Sequence, residues 1–259
     1  MKRMFEYSEG TSNKFWEVSL EKKSVITRYG KIGNAGKATP NEYVSAKEAR
    51  DAFEKLIHEK TSKGYVEKLE VETIWERLKV QLKTLAPDLH KSLQKGASEK
   101  QILKLEKQLG VQLPQDYRRF LNLCNGLKPN SEVEFYDGEL LSVSNVSREW
   151  RIWRDLLADG DFEGISSKPA KGIREDWWNL KWIPFTHDGG GNHMCLDLDP
   201  AKGGKLGQVI TMWHDSEERE LMHSSFTAWL RHILKGLETG KIVFDTEDYN
   251  ALVNIEDLE

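Results

Sequence analysis

The sequence predicts an α+β protein, because strand-like and helix-like patterns occupy separate segments of the chain. Apolar residues recur at every second position in the first 35 residues and at every third or fourth position in several later segments. The chain has 259 residues, about twice the commonest domain size, so two domains are expected. Strand-like segments occur in both halves, and each predicted domain therefore combines a sheet with helices.

Residues 1–70 are predicted to form a small antiparallel sheet with one packed helix. The alternating positions are Phe5 and Tyr7, then Trp16, Val18 and Leu20, then Val25, Thr27 and Tyr29. Polar breaks of hairpin length separate these three runs. A helix follows, because Ser45 and Glu48 have the spacing of a capping box and Gly64 provides a stop.

Residues 71–95 are predicted to form a helical bridge between the domains. Apolar residues from Ile74 to Leu85 recur at helical spacing, and the stripe ends before Pro87. Because this segment has an apolar face, it is not expected to be a loose linker.

Residues 96–245 are predicted to form the second domain. Its helices begin at a capping box, Ser98 and Gln101, and then at Pro114, which suits the first turn of a helix. Asp137-Gly138 predicts a hairpin between flanking apolar runs. Three strands and a closing amphipathic helix follow at 182–185, 193–198, 207–213 and 225–234. Residues 158–181 receive no assignment, and residues 246–259 are predicted to be an acidic tail that is helical or frayed.

Charge and composition exclude several classes of protein, among them membrane-spanning and disulfide-rich ones. The formal net charge is −4, but residues 1–70 carry 14 Lys and Arg against 11 Asp and Glu, so the basic surplus lies at the start of the chain. No apolar run approaches the roughly 18 residues of a membrane span, and no signal-peptide pattern opens the sequence. The two cysteines are 71 positions apart, which excludes a disulfide framework. A cytoplasmic protein without a membrane partner is expected.

A basic turn with three glycines follows the third predicted strand, in the segment Thr27-Arg28-Tyr29-Gly30-Lys31-Ile32-Gly33-Asn34-Ala35-Gly36-Lys37. With Phe15-Trp16 upstream and the helix downstream, residues 1–70 resemble a WGR domain. That module is known from DNA-dependent poly(ADP-ribose) polymerases and from bacterial proteins of the molybdate-metabolism-regulator type. The name-giving Trp-Gly-Arg triplet is Tyr29-Gly30-Lys31 here, and lysine lacks the planar donor fork of arginine.

The WGR resemblance implies a contact with DNA or RNA through Arg28, Tyr29, Lys31 and Lys37. Cationic side chains neutralise phosphates, and an aromatic ring offers a face to a sugar or base. The alternative interpretation places Tyr29 in the sheet, uses the glycines for tight turns and leaves the lysines in water. With a surplus of only three positive charges, both interpretations are open.

The second half resembles the SUKH superfamily of killer-toxin-resistance and cell-wall-synthesis regulators. The matching motifs run from Ile102 through Leu109-Gly110, Leu113-Pro114, Tyr117, Phe120-Leu121, Asn125-Gly126, Trp182-Ile183-Pro184-Phe185, Asp188-Gly189-Gly190-Gly191-Asn192, Leu196-Asp197-Leu198-Asp199-Pro200 and Gly207-Gln208-Val209 to Trp229-Leu230. The resemblance implies a twisted antiparallel sheet flanked by helices and no catalytic residues known as a class. Bacterial members include immunity proteins that bind toxins directly, and fungal members act as scaffolds in cell-wall signalling.

No catalytic residue, metal site or cofactor is predicted. The groups available for such chemistry are His187, Asp188, His193, Asp197, Asp199, His214, Asp215 and Glu217. Their spacing matches neither a HExxH nor an EF-hand motif, and no phosphate-binding glycine loop or nucleophile elbow occurs. Cys124 and Cys195 fall on apolar segments, where an inert buried thiol is expected.

Five of the nine tryptophans lie within 33 residues and are interleaved with charged residues. Such a mixture is typical of protein interfaces, and it is equally consistent with core packing. The predicted surface for a protein partner comprises Trp150, Trp153, Trp177, Trp178, Asp188 and Asn192.

These observations predict a non-enzymatic protein that binds a protein partner, as a bacterial immunity or regulatory protein would. Because the larger domain is acidic, a basic partner such as a toxin suits it. The first alternative is a nucleic-acid-responsive regulator that binds DNA or RNA through the WGR-like domain. The second is a metal-assisted hydrolase that uses the region from His187 to Asp215.

Overall fold

The structure is a computed structural model that describes residues 2–9, 12–67 and 70–258. It divides into two compact units, Met1–Leu69 and Glu70–Glu259, called unit 1 and unit 2 below. Both units combine strands and helices, which confirms the predicted α+β class. In the part of the chain that the structure describes, no helix combines the length and apolar composition that a membrane crossing requires.

Unit 1 is a five-stranded antiparallel sheet with one helix packed against it. The strands are β1 (Lys2–Glu9), β2 (Ser12–Glu21), β3 (Ser24–Lys31), β4 (Lys37–Glu42) and β5 (Val66–Glu67), and the helix is α1 (Ala46–Thr61). The strand order in the sheet is β4-β3-β2-β1-β5. The sequence predicts the first three strands but neither β4 nor β5.

The core of unit 1 lies between the sheet and α1. Strand alternation places one side chain of each successive pair on the helix face. The buried residues there are Phe5, Trp16, Val18, Val25, Ala49, Phe53 and Ile57. Ser45 Oγ accepts a hydrogen bond from the Glu48 amide at 3.1 Å, so the predicted N-cap of α1 is confirmed.

Unit 2 contains six helices and ten short strands among its described residues. The helices are α2 (Val71–Leu85), α3 (Pro87–Ser92), α4 (Glu99–Leu109), α5 (Gln115–Leu121), α6 (Val143–Asp159) and α7 (Phe226–Thr239). Ser98 and Gln101 form the predicted capping box at the start of α4. Gly110 ends that helix in the left-handed conformation.

The strands of unit 2 form one larger sheet and three two-stranded pairs. They are β6 (Glu139–Leu140), β7 (Lys168–Pro169), β8 (Trp182–Pro184), β9 (Thr186–His187), β10 (His193–Asp197), β11 (Gln208–Met212), β12 (Glu218–Arg219), β13 (Leu221–His223), β14 (Ile242–Asp245) and β15 (Ala251–Asn254). The antiparallel sheet has the order β13-β11-β10-β8, and its β8, β10 and β11 are the three strands that the sequence predicts. The pairs are β6 with β9, β7 with β12, and β14 with β15.

Three sequence predictions are corrected by unit 2. The predicted bridge at 71–95 belongs to the unit itself, because α2 buries its apolar stripe against α5 and α7. The Asp137-Gly138 turn does not join two paired strands, because β6 pairs with the distant β9. The predicted tail instead forms β15, whose Leu252 is buried, and then a short 3-10 helix (Ile255–Leu258).

Candidate functional site

Three of the four predicted nucleic-acid residues share one face of the unit 1 sheet. Tyr29 pairs with Trp16 on β2 and with Lys37 on β4, and Lys31 pairs with Lys14. Directly paired residues point to the same side of a sheet. Tyr29 is 50% exposed, and both lysines of the prediction are exposed. The structure therefore brings Tyr29, Lys31 and Lys37 together on an accessible surface.

Two further lysines extend this surface, and the sequence analysis did not identify them. Lys14 lies directly opposite Lys31. The Lys60 ammonium lies over the rings of Trp16 and Tyr65, at 5.5 and 4.9 Å from their centroids. Partial burial lowers the pKa of Lys60, and the charges of Lys63 and Lys14 lower it further. Strand register places Lys14 opposite Lys31, so only a correct pairing of β2 with β3 would have revealed Lys14. Lys60 joins the surface from α1.

Arg28 lies on the opposite face of the sheet from the other three predicted residues. Its guanidinium donates to both carboxylate oxygens of Glu17, at 3.2 and 2.8 Å, and to the carbonyl of Ala35 at 3.1 Å. It also lies 5.2 Å from the ring centroid of Phe15. Burial acts to raise the pKa of Glu17, but hydrogen bonds from Arg28 and Lys2 outweigh it and hold that pKa low. Arg28 thus makes internal contacts, and the structure does not group it with Tyr29.

Gly30 and Gly36 leave room for Phe15 beneath Arg28. A Cβ atom on Gly36 would lie 2.5 Å from Phe15 Cζ and 2.7 Å from the Tyr29 carbonyl oxygen, and Gly36 has a φ of +73°. A Cβ on Gly30 would lie 2.9 Å from Gly36 Cα. Because neither glycine has a Cβ, the turn between Lys31 and Lys37 can lie close to Phe15 and the Tyr29 carbonyl.

In unit 2, three of the four tryptophans of the predicted partner surface are buried. Trp150, Trp153 and Trp178 are 5%, 6% and 3% exposed, respectively. Trp150 and Trp153 lie on the buried face of α6, and the Trp153 ring stacks on that of Trp178 with centroids 5.3 Å apart. The prediction is corrected for these three rings, which stabilise the core. Trp177 is half-buried, and the guanidinium of Arg219 lies 5.0 Å from its ring centroid.

The predicted residues Asp188 and Asn192 close a tight glycine-rich loop. Asp188 Oδ1 accepts hydrogen bonds from the amides of Gly190 at 2.8 Å and Asn192 at 2.9 Å. Burial acts to raise the pKa of Asp188, but these hydrogen bonds keep it below its ordinary value. Asn192 Oδ1 accepts from the His214 amide at 3.0 Å. The loop is therefore held in one shape, and Asp188 itself is exposed.

Beside this loop lies an acidic cleft of about 420 Å³, whose lining includes Glu134, Glu139 and His187. The pairing of β6 with β9 places Glu139 directly opposite His187. The pKa of Glu134 is raised by burial and then by the nearby charges of Asp188 and Glu139. The neighbouring carboxylates therefore disfavour the charged form of Glu134, and the cleft is acidic. The sequence analysis identified Asp188 near it but neither glutamate.

A second cleft, of about 380 Å³, lies between α4 and α6 and is called the basic cleft here. Its charged lining residues are Lys104 on α4 and Arg151 on α6, and Ser147 on α6 also lines it. Asn125 and Ser144 line both clefts. The acidic and basic clefts are thus adjacent at the beginning of α6.

Among the residues that the structure describes, one group of side chains has ligand atoms close enough to hold a metal ion. Atoms of Glu149, His187 and His193 lie within 4.8 Å of one another. However, His193 Nδ1 lies 2.8 Å from the Thr186 carbonyl oxygen, and His193 Nε2 accepts a hydrogen bond from Trp153 Nε1 at 3.0 Å. Both ring nitrogens of His193 are therefore occupied.

The other two members of this group do not complete a metal site without His193. The Glu149 carboxylate forms a salt bridge with Arg148 at 2.8 Å. The His187 ring stacks on His193 with centroids 5.0 Å apart. Because metal binding would require breaking a buried hydrogen bond of His193, either with Trp153 or with Thr186, this cluster fits a structural network better than a metal centre.

The remaining groups considered for catalysis also make structural contacts. Asp197 is fully buried and accepts hydrogen bonds from the Asp199 amide and from Gln208, each at 2.9 Å. Asp199 forms a salt bridge with Arg174 at 2.9 Å. Burial raises the pKa of the Cys124 thiol to about 12 and also raises that of Cys195. A raised thiol pKa disfavours the reactive thiolate.

Unit 2 is an α+β domain, because it combines an antiparallel sheet with flanking helices, as the sequence predicts. Its two polar clefts lie at the start of α6. The family model described as the SMI1 / KNR4 family (SUKH-1) matches residues 96–232. The chain belongs to this family. A second family model, the WGR domain, matches residues 1–72, so both resemblances in the sequence are confirmed.

The similar curated proteins include fungal regulators and one bacterial protein. The "Glucan synthesis regulatory protein" of Neurospora crassa is 24% identical over 220 residues, which cover 70% of this chain and 41% of that protein. The "Cell wall biosynthesis/cell cycle regulator smi1" of Schizosaccharomyces pombe is 26% identical over 179 residues, covering 64% and 35%. The "Uncharacterized protein YfeS" of Escherichia coli is 39% identical over 67 residues, covering 26% and 28%. The chain spans about two fifths of the length of these fungal relatives.

Proposed function

We propose that the chain is a non-enzymatic regulatory protein whose SUKH-1 unit acts by binding a protein partner directly. The names of its fungal relatives, which describe regulators of glucan synthesis and cell wall biosynthesis, support a regulatory role. The observation that carries the proposal is the open acidic cleft beside the rigid Asp188 loop. A cleft whose walls are already held in place costs less ordering when a partner binds.

The side chains around the cleft support binding rather than catalysis. His193 has both ring nitrogens in hydrogen bonds, and burial lowers its pKa to about 4. A histidine held neutral in this way is a poor general acid near neutral pH. The catalytic alternative at Asp197 is equally constrained, because its carboxylate is buried and hydrogen-bonded.

The acidic character of unit 2 favours a basic partner through charge complementarity. An immunity protein that neutralises a basic toxin is the specific form that we propose for a bacterial setting. In that setting, co-expression of the chain should restore growth of cells that produce the partner toxin.

Affinity capture with the full chain tests this proposal when it is followed by reconstitution. Captured proteins are identified by mass spectrometry, purified, and titrated with the chain in a calorimeter. We expect saturable one-to-one binding of at least one captured protein. Failure of every captured protein to bind in the purified system contradicts the proposed function.

A second function, nucleic-acid binding by unit 1, is favoured by the direct pairing of Lys14 with Lys31. Like charges opposite each other in a sheet are destabilising, and a phosphate backbone would relieve that repulsion. Anisotropy titrations with labelled nicked, blunt and single-stranded DNA and with RNA test this function. Binding that weakens steeply with salt supports it, whereas no binding to any of the four at low salt removes it.

A further inference from the structure

We propose that the acidic and basic clefts of unit 2 form one groove, the α6 groove, that binds an extended segment of a protein partner. A basic side chain of that segment enters the acidic cleft beside Glu134 and Glu139. An acidic side chain four positions away lies between Lys104 and Arg151. This inference rests on the proposed function and adds the chemistry of the partner.

The two clefts share a fixed floor at the start of α6. Asn125 lines both clefts, and its Oδ1 accepts a hydrogen bond from the Val143 amide at 2.8 Å. Ser147 Oγ donates to Gln108 Oε1 at 2.8 Å, which ties α6 to α4. Because the floor is held by these contacts, a ligand would not have to order it.

The acidic end has charges that lack a cation. Glu134 and Glu139 form no salt bridge with any residue that the structure describes. Arg148, which also lines the cleft, is paired with the buried Glu149 at 2.8 Å. Burial, and then the charges of Asp188 and Glu139, raise the pKa of Glu134, and a cation supplied by a ligand would offset that penalty on its charged form.

The opposite end of the groove has the opposite charge, also without a counter-ion. Lys104 and Arg151 are exposed, and neither forms a salt bridge within the described ranges 2–9, 12–67 and 70–258. Arg151 Nε donates to the Ser147 carbonyl at 3.3 Å, which directs the guanidinium along α6. The groove is thus dipolar, which selects a ligand with two opposite charges.

The length of the basic cleft along α6 guides the spacing of the ligand charges. Ser144, which both clefts share, and Arg151 are seven residues apart on α6, so they are separated by about 10 Å along the helix axis. An extended segment advances about 3.3 Å per residue and returns to the same side at every second position. Two positions, about 7 Å, are shorter than this cleft, so four positions, about 13 Å, is the shortest same-side spacing that spans it. A free amino acid has its two charges too close together to reach both ends.

The test uses the purified full chain and fluorescein-labelled nine-residue peptides with blocked ends. Two peptides contain Arg and Asp four positions apart in a Gly-Ser background, one in each order, and a third contains Ser at both positions. Fluorescence anisotropy gives the Kd. We expect one charged order to bind at least fivefold more tightly than the neutral peptide.

Matched variants locate the binding. Glu134→Gln with Glu139→Gln, and separately Lys104→Gln with Arg151→Gln, should each weaken binding of that peptide about tenfold. The controls are Asp159→Asn, at the far end of α6, and Lys107→Gln, one turn further along α4. Each control should change the Kd of the peptide less than twofold. Equal binding of charged and neutral peptides, or equal loss in the controls, overturns the groove assignment.

The reconstituted partner separates this inference from the proposed function. If the partner binds the wild-type chain and both groove variants equally, the groove assignment fails and the proposed function stands. If the peptides bind in the groove but no purified protein binds the chain, the proposed function fails.

Discussion

The indole N–H of Trp153 donates a buried hydrogen bond to His193 Nε2 at a distance of 3.0 Å. Because Nε2 accepts this bond, the ring proton resides on Nδ1, which lies 2.8 Å from the Thr186 carbonyl oxygen. The network joins α6 to β9 and β10 beneath the acidic cleft. It explains both the burial of Trp153 and the unsuitability of His193 as a metal ligand.

The buried His193 should make stability depend on pH. Burial lowers its pKa to about 4, whereas an unfolded histidine titrates near its ordinary value of 6.5. The unfolded state therefore binds a proton first as pH falls, and the free energy of unfolding should drop by about 2 kcal/mol from this residue between pH 7 and pH 5.

Urea unfolding at several pH values and the NMR titration of His193 measure this effect. His193→Gln should lower the free energy of unfolding at pH 7 and make it depend less on pH than in the wild type. The control is His58→Gln, because His58 is exposed, and it should change neither property. A His193 ring resonance that titrates with a midpoint above pH 6 in the folded protein would argue against the network.

Trp153→Phe should destabilise unit 2 by about 1 to 3 kcal/mol, because it leaves the buried Nε2 of His193 without a donor. The matched control is Trp213→Phe, since Trp213 is 44% exposed. That change should alter the free energy of unfolding by less than about 0.5 kcal/mol. Circular dichroism during urea unfolding reports both values, and similar losses in the two variants would not fit the structure.

Gly36→Ala should disrupt the turn between β3 and β4. The new Cβ would meet Phe15 and the Tyr29 carbonyl, and alanine is strained at the positive φ of this position. Gly33→Ala is the control, because its φ is also positive but nothing lies within 4 Å of the place that its new Cβ would occupy. Hydrogen exchange of β3 amides should accelerate at least tenfold in Gly36→Ala and much less in Gly33→Ala. Equal acceleration would show that strain alone matters there.

Lys14→Ala and Lys31→Ala should each weaken nucleic-acid binding by unit 1 and lower the slope of log Kd against log salt concentration by about one. Lys22→Ala, on the turn between β2 and β3 at the other end of those strands, is the control. Arg28→Ala should instead reduce stability, because Arg28 is bound to Glu17 and Ala35. An Arg28→Ala variant with unchanged stability and a lost salt dependence would contradict this division of roles.

Local patterns were sufficient to predict much of the fold. The capping box at Ser98 and the strands β8, β10 and β11 are encoded by neighbouring residues, so periodicity and turn chemistry revealed them. β4 was missed because all six of its residues are exposed and no apolar alternation marks it. The pairing of β6 with β9 joins segments far apart in sequence, which a local turn motif cannot indicate.

The candidate sites were less predictable than the fold. Tyr29, Lys31 and Lys37 were found because a motif contains them, whereas Lys14 joins them only through strand register. The tryptophans suggested an interface by composition alone, but Trp153 lies on the buried face of α6 and its ring stacks on Trp178. Glu134 and Glu139 belong to no motif, and only the tertiary structure brings them to one cleft.

Calorimetric titration of the purified partner into the full chain measures whether the SUKH-1 unit binds that partner through the acidic cleft. We predict one-to-one binding to the wild-type chain, about tenfold weaker binding to the Glu134→Gln and Glu139→Gln double variant, and an unchanged Kd for Asp159→Asn. Absence of binding to the wild-type chain by every purified candidate partner would contradict the account.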